Sequence, residues 1–163
     1  MDVNKVSPGQ RIAAIAGGLL FIDLWMHWYS VNFSGAQQSF ADKLGISTSA
    51  SAWTAFSMTD ILIAIACIVA ISGAVCAAMN VAWPLPIGWA QLASLTGGII
   101  TLLILYRIVN QPGPNKLINV EWGAYIGFLL SAGMAYGAWR ASTEDVATTA
   151  HAAPPPPAPT AAV

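Results

Sequence analysis

Four polar or charged side chains stand inside otherwise apolar stretches of this sequence: Asp23, His27, Asp60 and Arg107. An Asp or Arg at the centre of a membrane-spanning helix costs about 2.5–3.5 kcal/mol, so it is expected to face other helices, to be paired or to be protonated. Side chains of these types can form buried ion pairs, bind a ligand or accept a proton. They are the residues of this chain that could carry chemistry.

The spacing of these four residues suggests two interacting pairs. His27 follows Asp23 by four positions, which would place both on one helix face and allow a hydrogen bond. Asp60 and Arg107 belong to different predicted helices, and we interpret them as an ion pair. Three hypotheses stay open: ion pairs that fix helix register, a polar site that binds a ligand or accepts a proton, and a protonated, unpaired Asp23.

The sequence predicts no metal, no cofactor and no catalytic residue. Cys67 and Cys76 are nine positions apart on one predicted helix, a rise of about 13.5 Å, so they cannot form a disulfide with each other. His27 is the only histidine within a predicted span, whereas zinc needs three or four protein ligands. The sequence contains no CxxC pair, Gly-rich phosphate loop or serine-nucleophile motif.

The composition indicates an integral membrane protein. Of 163 residues, 8% are charged and 56% are hydrophobic, whereas a soluble domain carries roughly 25% charged residues. So few charges could not cover the surface of a soluble domain. The net charge of −1 excludes a basic nucleic-acid footprint, which needs clustered Lys and Arg. The expected partner is the lipid bilayer.

Four apolar stretches are long enough to cross the hydrocarbon core, which needs about 20 residues per helix. They predict spans at about 8–29, 53–79, 86–109 and 120–140. Ser7, Pro8 and Gln10 form a capping-box start, and the prolines at 112 and 114 stop the third span. We therefore predict one all-α domain, residues 1–140, that forms a membrane-embedded four-helix bundle.

Two segments fall outside these spans. Residues 34–45 have a capping-box spacing and two apolar residues four apart, which predicts a short helix at the membrane surface. Residues 141–163 are rich in Ala, Thr and Pro, cannot bury a core and are predicted to be disordered. A cleaved signal peptide is an alternative for the first span, but Asp23 and the aromatic residues after it favour a retained helix.

Each predicted span carries small residues at four-residue spacing. In lipid, helices associate through close backbone approach rather than hydrophobic gain, so such residues mark helix contacts. The positions that we expect to pack are Gly17, Ala70, Gly97, Gly123 and Gly127. The arc on the fourth span could meet two neighbours or a second copy of the chain, so a homo-oligomer or a larger membrane complex stays open.

The predicted depths bring the charges to one side of the membrane. Asp23 lies about 9 Å and Asp60 about 10 Å from the same surface, and Arg107 lies near that surface as well. Four spans place both termini on the other side. The positive charges on the two sides are balanced, and excluding a bundle-engaged Arg107 favours cytoplasmic termini.

Two segments carry a resemblance. Trp53 and Phe56 followed by Asp60, and Arg107 followed by Asn110, Pro112 and Gly113, resemble the uncharacterised small four-span membrane proteins of actinobacterial type. The resemblance covers roughly residues 51–140 and implies a bacterial cytoplasmic-membrane location. It implies no activity, because that family has no assigned reaction.

Two functions are therefore weighed first, and a membrane enzyme comes third, so an enzymatic role stays uncertain but less expected. The leading hypothesis is a non-enzymatic accessory, assembly or scaffold component of the membrane. The alternative is a small oligomeric transporter or proton-linked unit that uses Asp23, His27 and Asp60.

Overall fold

The computed structural model describes residues 3–31, 43, 49–51, 57–110 and 118–152. Within these ranges a 3-10 turn, Val3–Lys5, precedes four helices and three short strands. The helices are α1 (Pro8–Asp23), α2 (Ser57–Met79), α3 (Trp89–Val109) and α4 (Trp122–Ala152). The strands are β1 (His27–Val31), β2 (Ser49–Ser51) and β3 (Ile118–Val120). The described chain is thus mostly helical, in agreement with the predicted all-α class.

The first helix begins as the sequence predicts. The Ser7 hydroxyl accepts the backbone N–H of Gln10 at 3.3 Å, and the Gln10 side chain accepts the backbone N–H of Ser7 at 3.0 Å. Pro8 lies in the first turn, where a backbone N–H has no partner within the helix. The absence of this N–H in proline therefore costs no hydrogen bond.

The four helices pack in a ring. α1 contacts α2 and α4, and α3 contacts the same two helices. Large side chains such as Leu20, Ile63, Ile104 and Met134 fill the centre of the ring.

Small residues bring α1 and α4 into close antiparallel contact. A Cβ added at Gly137 would lie 2.5 Å from the nitrogen of Ala13, and one added at Gly133 would lie 3.7 Å from the Cβ of Ala16. Towards the other end, Gly127 lies against Asp23 and Gly123 against the backbone of His27. Positions later in α1 therefore contact positions earlier in α4, as in any antiparallel helix pair.

Small residues also lie at the contacts between the other helix pairs. Gly17 of α1 packs on Ala70 and on the carbonyl of Cys67 in α2. Gly97 of α3 packs on Ala135 of α4, where an added Cβ would lie 3.0 Å from the Cα. These contacts fix the relative heights of the helices.

A three-stranded antiparallel sheet closes one end of the ring, and we call this the sheet end. Its order is β2-β1-β3, with Tyr29 opposite Ala50 on one side and Val120 on the other. The opposite, loop end holds the α2–α3 connection and the start of α1. The sequence predicted no strands, because three to five residues are too few to show a period of two and the partners are distant in the chain.

Two helix ends differ from the prediction. α1 ends at Asp23 rather than near residue 29, because the chain turns there and the Trp28 indole N–H donates to the Asp23 carbonyl at 3.0 Å. α4 continues to Ala152 rather than ending near Arg140, so residues 141–152 are helical instead of disordered. Contacts of Ala141 and Glu144 with Gly9 of α1 hold the first part of this extension.

Two of the described helices are long and apolar enough to cross a membrane, over Met58–Met79 and Trp89–Val109. Several predictions lie outside the described residues. These are the start of the second span, the tail beyond Ala152 and all but Lys43 of the surface helix predicted at residues 34–45.

Candidate buried carboxylate site

Asp23 is the last residue of α1 and is only 2% exposed. Its carboxylate points at α4, where a Cβ added to Gly127 would come within 2.8 Å of Oδ2. The same added Cβ would lie 2.8 Å from the ring of Trp28, so glycine leaves the space that both side chains use. Neither carboxylate oxygen has a hydrogen-bond partner in the described part of the chain.

Asp60 lies in the first turn of α2 and is fully buried. Both of its carboxylate oxygens also lack a hydrogen-bond partner among the described residues. Asp23 and Asp60 are thus two buried acids whose charged forms would be poorly solvated.

The helix contacts place these two acids at nearly the same height. Asp23 is six residues beyond Gly17, about 9 Å of rise, and Asp60 is seven residues before Cys67, about 10 Å. Because Gly17 packs on Cys67 and the helices are antiparallel, both steps lead towards the sheet end. Both acids therefore lie towards the sheet end of the described bundle.

Arg107 lies in the last turn of α3, also at the sheet end. It is near enough to Asp60 to interact with it electrostatically. The predicted direct ion pair is nevertheless absent, since Asp60 accepts no hydrogen bond and the ion pair found among the described residues joins Arg140 and Glu144 at 2.9 Å. Similar depth on neighbouring helices does not ensure that two side chains meet.

His27 does not join Asp23. It begins β1, and its side chain is exposed. The predicted hydrogen bond assumed a helix that continued past residue 27, whereas α1 ends at Asp23 and the four-residue spacing no longer means a shared face.

Two aromatic residues of the site, Trp28 and Tyr29, are not among the residues that the sequence singled out. Trp28 is 1% exposed, and its ring lies beside Gly127, as the carboxylate of Asp23 does. Tyr29 is 3% exposed, and its hydroxyl donates to the carbonyl of Arg107 at 3.3 Å. Burial raises the pKa of Tyr29 to about 12, against a smaller lowering by Arg107, so this hydroxyl stays protonated. Nothing in the sequence distinguishes these two from exposed aromatics such as Trp25.

The remaining residues of the prediction are dispersed. The Asn110 side chain donates to the Tyr106 hydroxyl at 2.6 Å, at the end of α3. Trp53, Phe56, Pro112 and Gly113 lie outside the described residues. Cys67 is buried, Cys76 is partly buried, and both are free thiols. Within the described ranges no three His, Cys, Asp or Glu side chains are grouped so that they could hold a metal ion.

The fold and the site define a helical bundle with two candidate membrane spans and two buried acids near one end. No protein-family model, no curated protein and no solved structure matches this chain.

Proposed function

We propose that this chain is an integral membrane protein whose four helices all cross the bilayer. The support is a surface of large apolar side chains on every helix. Examples are Ile15 and Ile22 on α1, Leu62 and Ile68 on α2, Leu95 and Leu102 on α3, and Leu129 on α4, which are 51–68% exposed. Soluble monomers rarely expose continuous apolar surfaces of this extent.

The proposed location is the bacterial cytoplasmic membrane, with both termini on the cytoplasmic side. The contact between Gly9 in α1 and Glu144 in α4 supports a common side for the two ends of the bundle. Reporter domains fused to each terminus test this topology. Cytoplasmic signals from both fusions are expected, and signals from opposite sides would overturn the four-span arrangement.

We propose further that the chain is a non-enzymatic accessory, assembly or scaffold component of the membrane. The observation that carries this role is the close packing of the bundle between the acids and the loop end. Apart from Asp23, Asp60 and the aromatic residues, the one buried polar side chain of the described residues is Ser131, which donates to the carbonyl of Phe128 at 2.8 Å. The described core of one molecule therefore contains no continuous row of polar side chains from one end of the bundle to the other.

Purification in a mild detergent tests the accessory role. The tagged full-length chain is expected to copurify with a larger membrane complex or with further copies of itself. A matched sample in a harsh detergent serves as the control, because weak association should be lost there. A strictly monomeric particle in the mild detergent would count against this role.

A second candidate is a small proton-linked unit or transporter, active as an oligomer. It is favoured by the two buried acids, because unpaired carboxyls inside a membrane bundle are costly and often serve ion or proton pathways. Flux into liposomes that contain the wild-type chain, Asp23→Asn or Asp60→Asn tests it. Wild-type flux that both variants abolish would support transport, and wild-type flux equal to that of empty vesicles would exclude it.

A further inference from the structure

We infer that the outer groove between α1 and α2, at the loop end of the bundle, binds an anionic phospholipid, with one acyl chain in the groove and the lipid phosphate at Arg11. This inference rests on the proposed location of the chain in the membrane. It adds a partner that the accessory role does not specify, and it does not need transport.

The groove has an apolar lining and a volume of about 380 Å³. Three of its lining residues are alanines, Ala14 on α1 and Ala74 and Ala78 on α2, whose short side chains leave room between the helices. On α2 the lining runs from Ile71 to Ala78, a rise of about 10 Å, which is roughly a third of the hydrocarbon core. The groove can therefore hold the upper part of one acyl chain.

The open surface continues along α1 towards the middle of the bundle. Gly18 lies seven positions after Arg11, so the two residues share a helix face. Nothing lies within 4 Å of a Cβ added at Gly18, and Ile15 and Ile22 on the same face are exposed. This face of α1 is thus an apolar surface with a positive charge at its loop end.

Two basic residues stand at the loop end of the groove. Arg11 is exposed, lines the groove and donates from Nε to the carbonyl of Val6 at 3.1 Å, which holds its guanidinium group near the start of α1. Lys5 directly precedes Val6, and its Nζ donates to Oδ1 of Asn80, two positions after Ala78, at 3.3 Å. Cations beside an apolar groove complement a molecule with a negative head group and an apolar tail.

Arg11 also lies at the depth expected for lipid phosphates. Gly137 of α4 packs on Ala13 of α1, two positions after Arg11, so the residues beside Gly137 lie at about the level of Arg11. Tyr136 and Trp139 are exposed there, and such aromatic residues mark the boundary between hydrocarbon and head groups. In the proposed topology this end faces the cytoplasm, where anionic lipids attract basic residues.

An anionic lipid suits the groove better than a second copy of the chain. Two copies related by a twofold axis present the same surface to each other, which would bring their Arg11 side chains to the same level, where like charges repel. A wider groove of about 640 Å³ between α3 and α4 is lined by residues such as Leu95, Gly98 and Ala132, with no basic residue among its described lining. That groove serves as an internal control.

Photoreactive lipids test the site. The full-length chain is reconstituted into liposomes of phosphatidylglycerol and phosphatidylcholine, one of which carries a photoreactive group in its acyl chain, and the labelled peptides are identified by mass spectrometry. In the α1–α2 groove we expect labelling by phosphatidylglycerol to exceed labelling by phosphatidylcholine about fivefold or more, the effect of a basic residue at an anionic surface. In the α3–α4 groove the two lipids should label equally.

Four variants separate the site from general effects. Arg11→Gln should lower the preference for phosphatidylglycerol about fivefold, whereas Arg11→Lys keeps the charge and should keep most of the preference. Arg140→Gln removes a positive charge on α4 and should leave the preference unchanged. Ala74→Leu fills the α1–α2 groove and should reduce labelling there, whereas Ala132→Leu, in the α3–α4 groove, should not.

Three outcomes would overturn the lipid site. They are equal labelling of the α1–α2 groove by both lipids, a preference that Arg11→Gln leaves unchanged, and disulfide crosslinks between two chains carrying Ala14→Cys without lipid labelling, which would assign the groove to a second copy. Flotation of the liposomes keeps this result separate from the membrane proposal. A chain that does not float removes both proposals, while a chain that floats but shows no preference removes the lipid site alone.

Discussion

Gly9 and Glu144 join the start of α1 to the last part of α4 at the loop end of the bundle. The backbone N–H of Gly9, in the first turn of α1, donates to Oε2 of Glu144 at 3.2 Å across 135 positions. Arg140 Nε donates to the other oxygen at 2.9 Å. A carboxylate at this position meets both an N–H without a partner inside its helix and the positive end of the α1 dipole. The extension of α4 therefore caps α1.

Glu144→Gln should lower the free energy of unfolding by about 1 kcal/mol, because it keeps the size of the side chain but removes its charge. Unfolding of the purified chain in detergent micelles measures the change. Thr143→Ala is the matched control, because its exposed hydroxyl bonds within its own helix, to the Arg140 carbonyl at 2.7 Å. An equal loss in both variants would show that the contact with Gly9 contributes nothing specific.

The same contact predicts a pH dependence. Burial acts to raise the pKa of Glu144, but hydrogen bonds from Ser7, Gly9 and Arg140 outweigh it and lower this pKa below its ordinary value. The stabilisation is then fully present above the unfolded-state pKa of about 4.3 and is lost as pH falls through the folded-state pKa. Melting temperatures measured from pH 7 to pH 3 should fall more for the wild type than for Glu144→Gln. Parallel curves would contradict this.

The close contact of α1 with α4 predicts a contrast between two glycines. In Gly137→Ala the new Cβ would lie 2.5 Å from the backbone nitrogen of Ala13, so the helices must separate, at a cost of about 1–3 kcal/mol. Gly18→Ala is the control, because nothing lies within 4 Å of the added Cβ. It should be neutral or stabilising by up to about 1 kcal/mol, since alanine favours a helix. Unfolding in micelles compares the two, and equal losses would contradict the contact.

The helices could be predicted from the sequence because long apolar stretches and end signals are local. The capping box at Ser7 is an example, since its two hydrogen bonds link residues three apart. Helix ends that depend on distant contacts could not be predicted. The turn after Asp23 needs strand partners from residues 49–51 and 118–120, and the extension of α4 needs Gly9.

The candidate site was predictable in its residue types but not in its pairing. Hydropathy singles out Asp23 and Asp60 because charges are rare in apolar stretches, and the antiparallel order of the helices sets their common level. Which side chains meet depends on rotation about each helix axis. The space that Gly127 leaves for Asp23 is set by that rotation and by the position of Trp28, and neither follows from spacing along the chain.

The variant Asp60→Asn tests whether Asp60 and Arg107 form the direct ion pair that the sequence suggested. If Asp60 and Arg107 formed a buried pair, loss of the charge on one side should cost about 3–5 kcal/mol, because the other would stay buried alone. In the structure Asp60 accepts no hydrogen bond. Replacing its carboxylate by an amide therefore removes the cost of burying a charge, and the only attraction lost is the long-range one to Arg107. We expect the free energy of unfolding to change by about 1 kcal/mol or less. Unfolding in micelles measures this, with Arg107→Gln and the charge swap Asp60→Arg with Arg107→Asp alongside. Large losses in both single variants that the swap restores would establish a direct pair and contradict the structure.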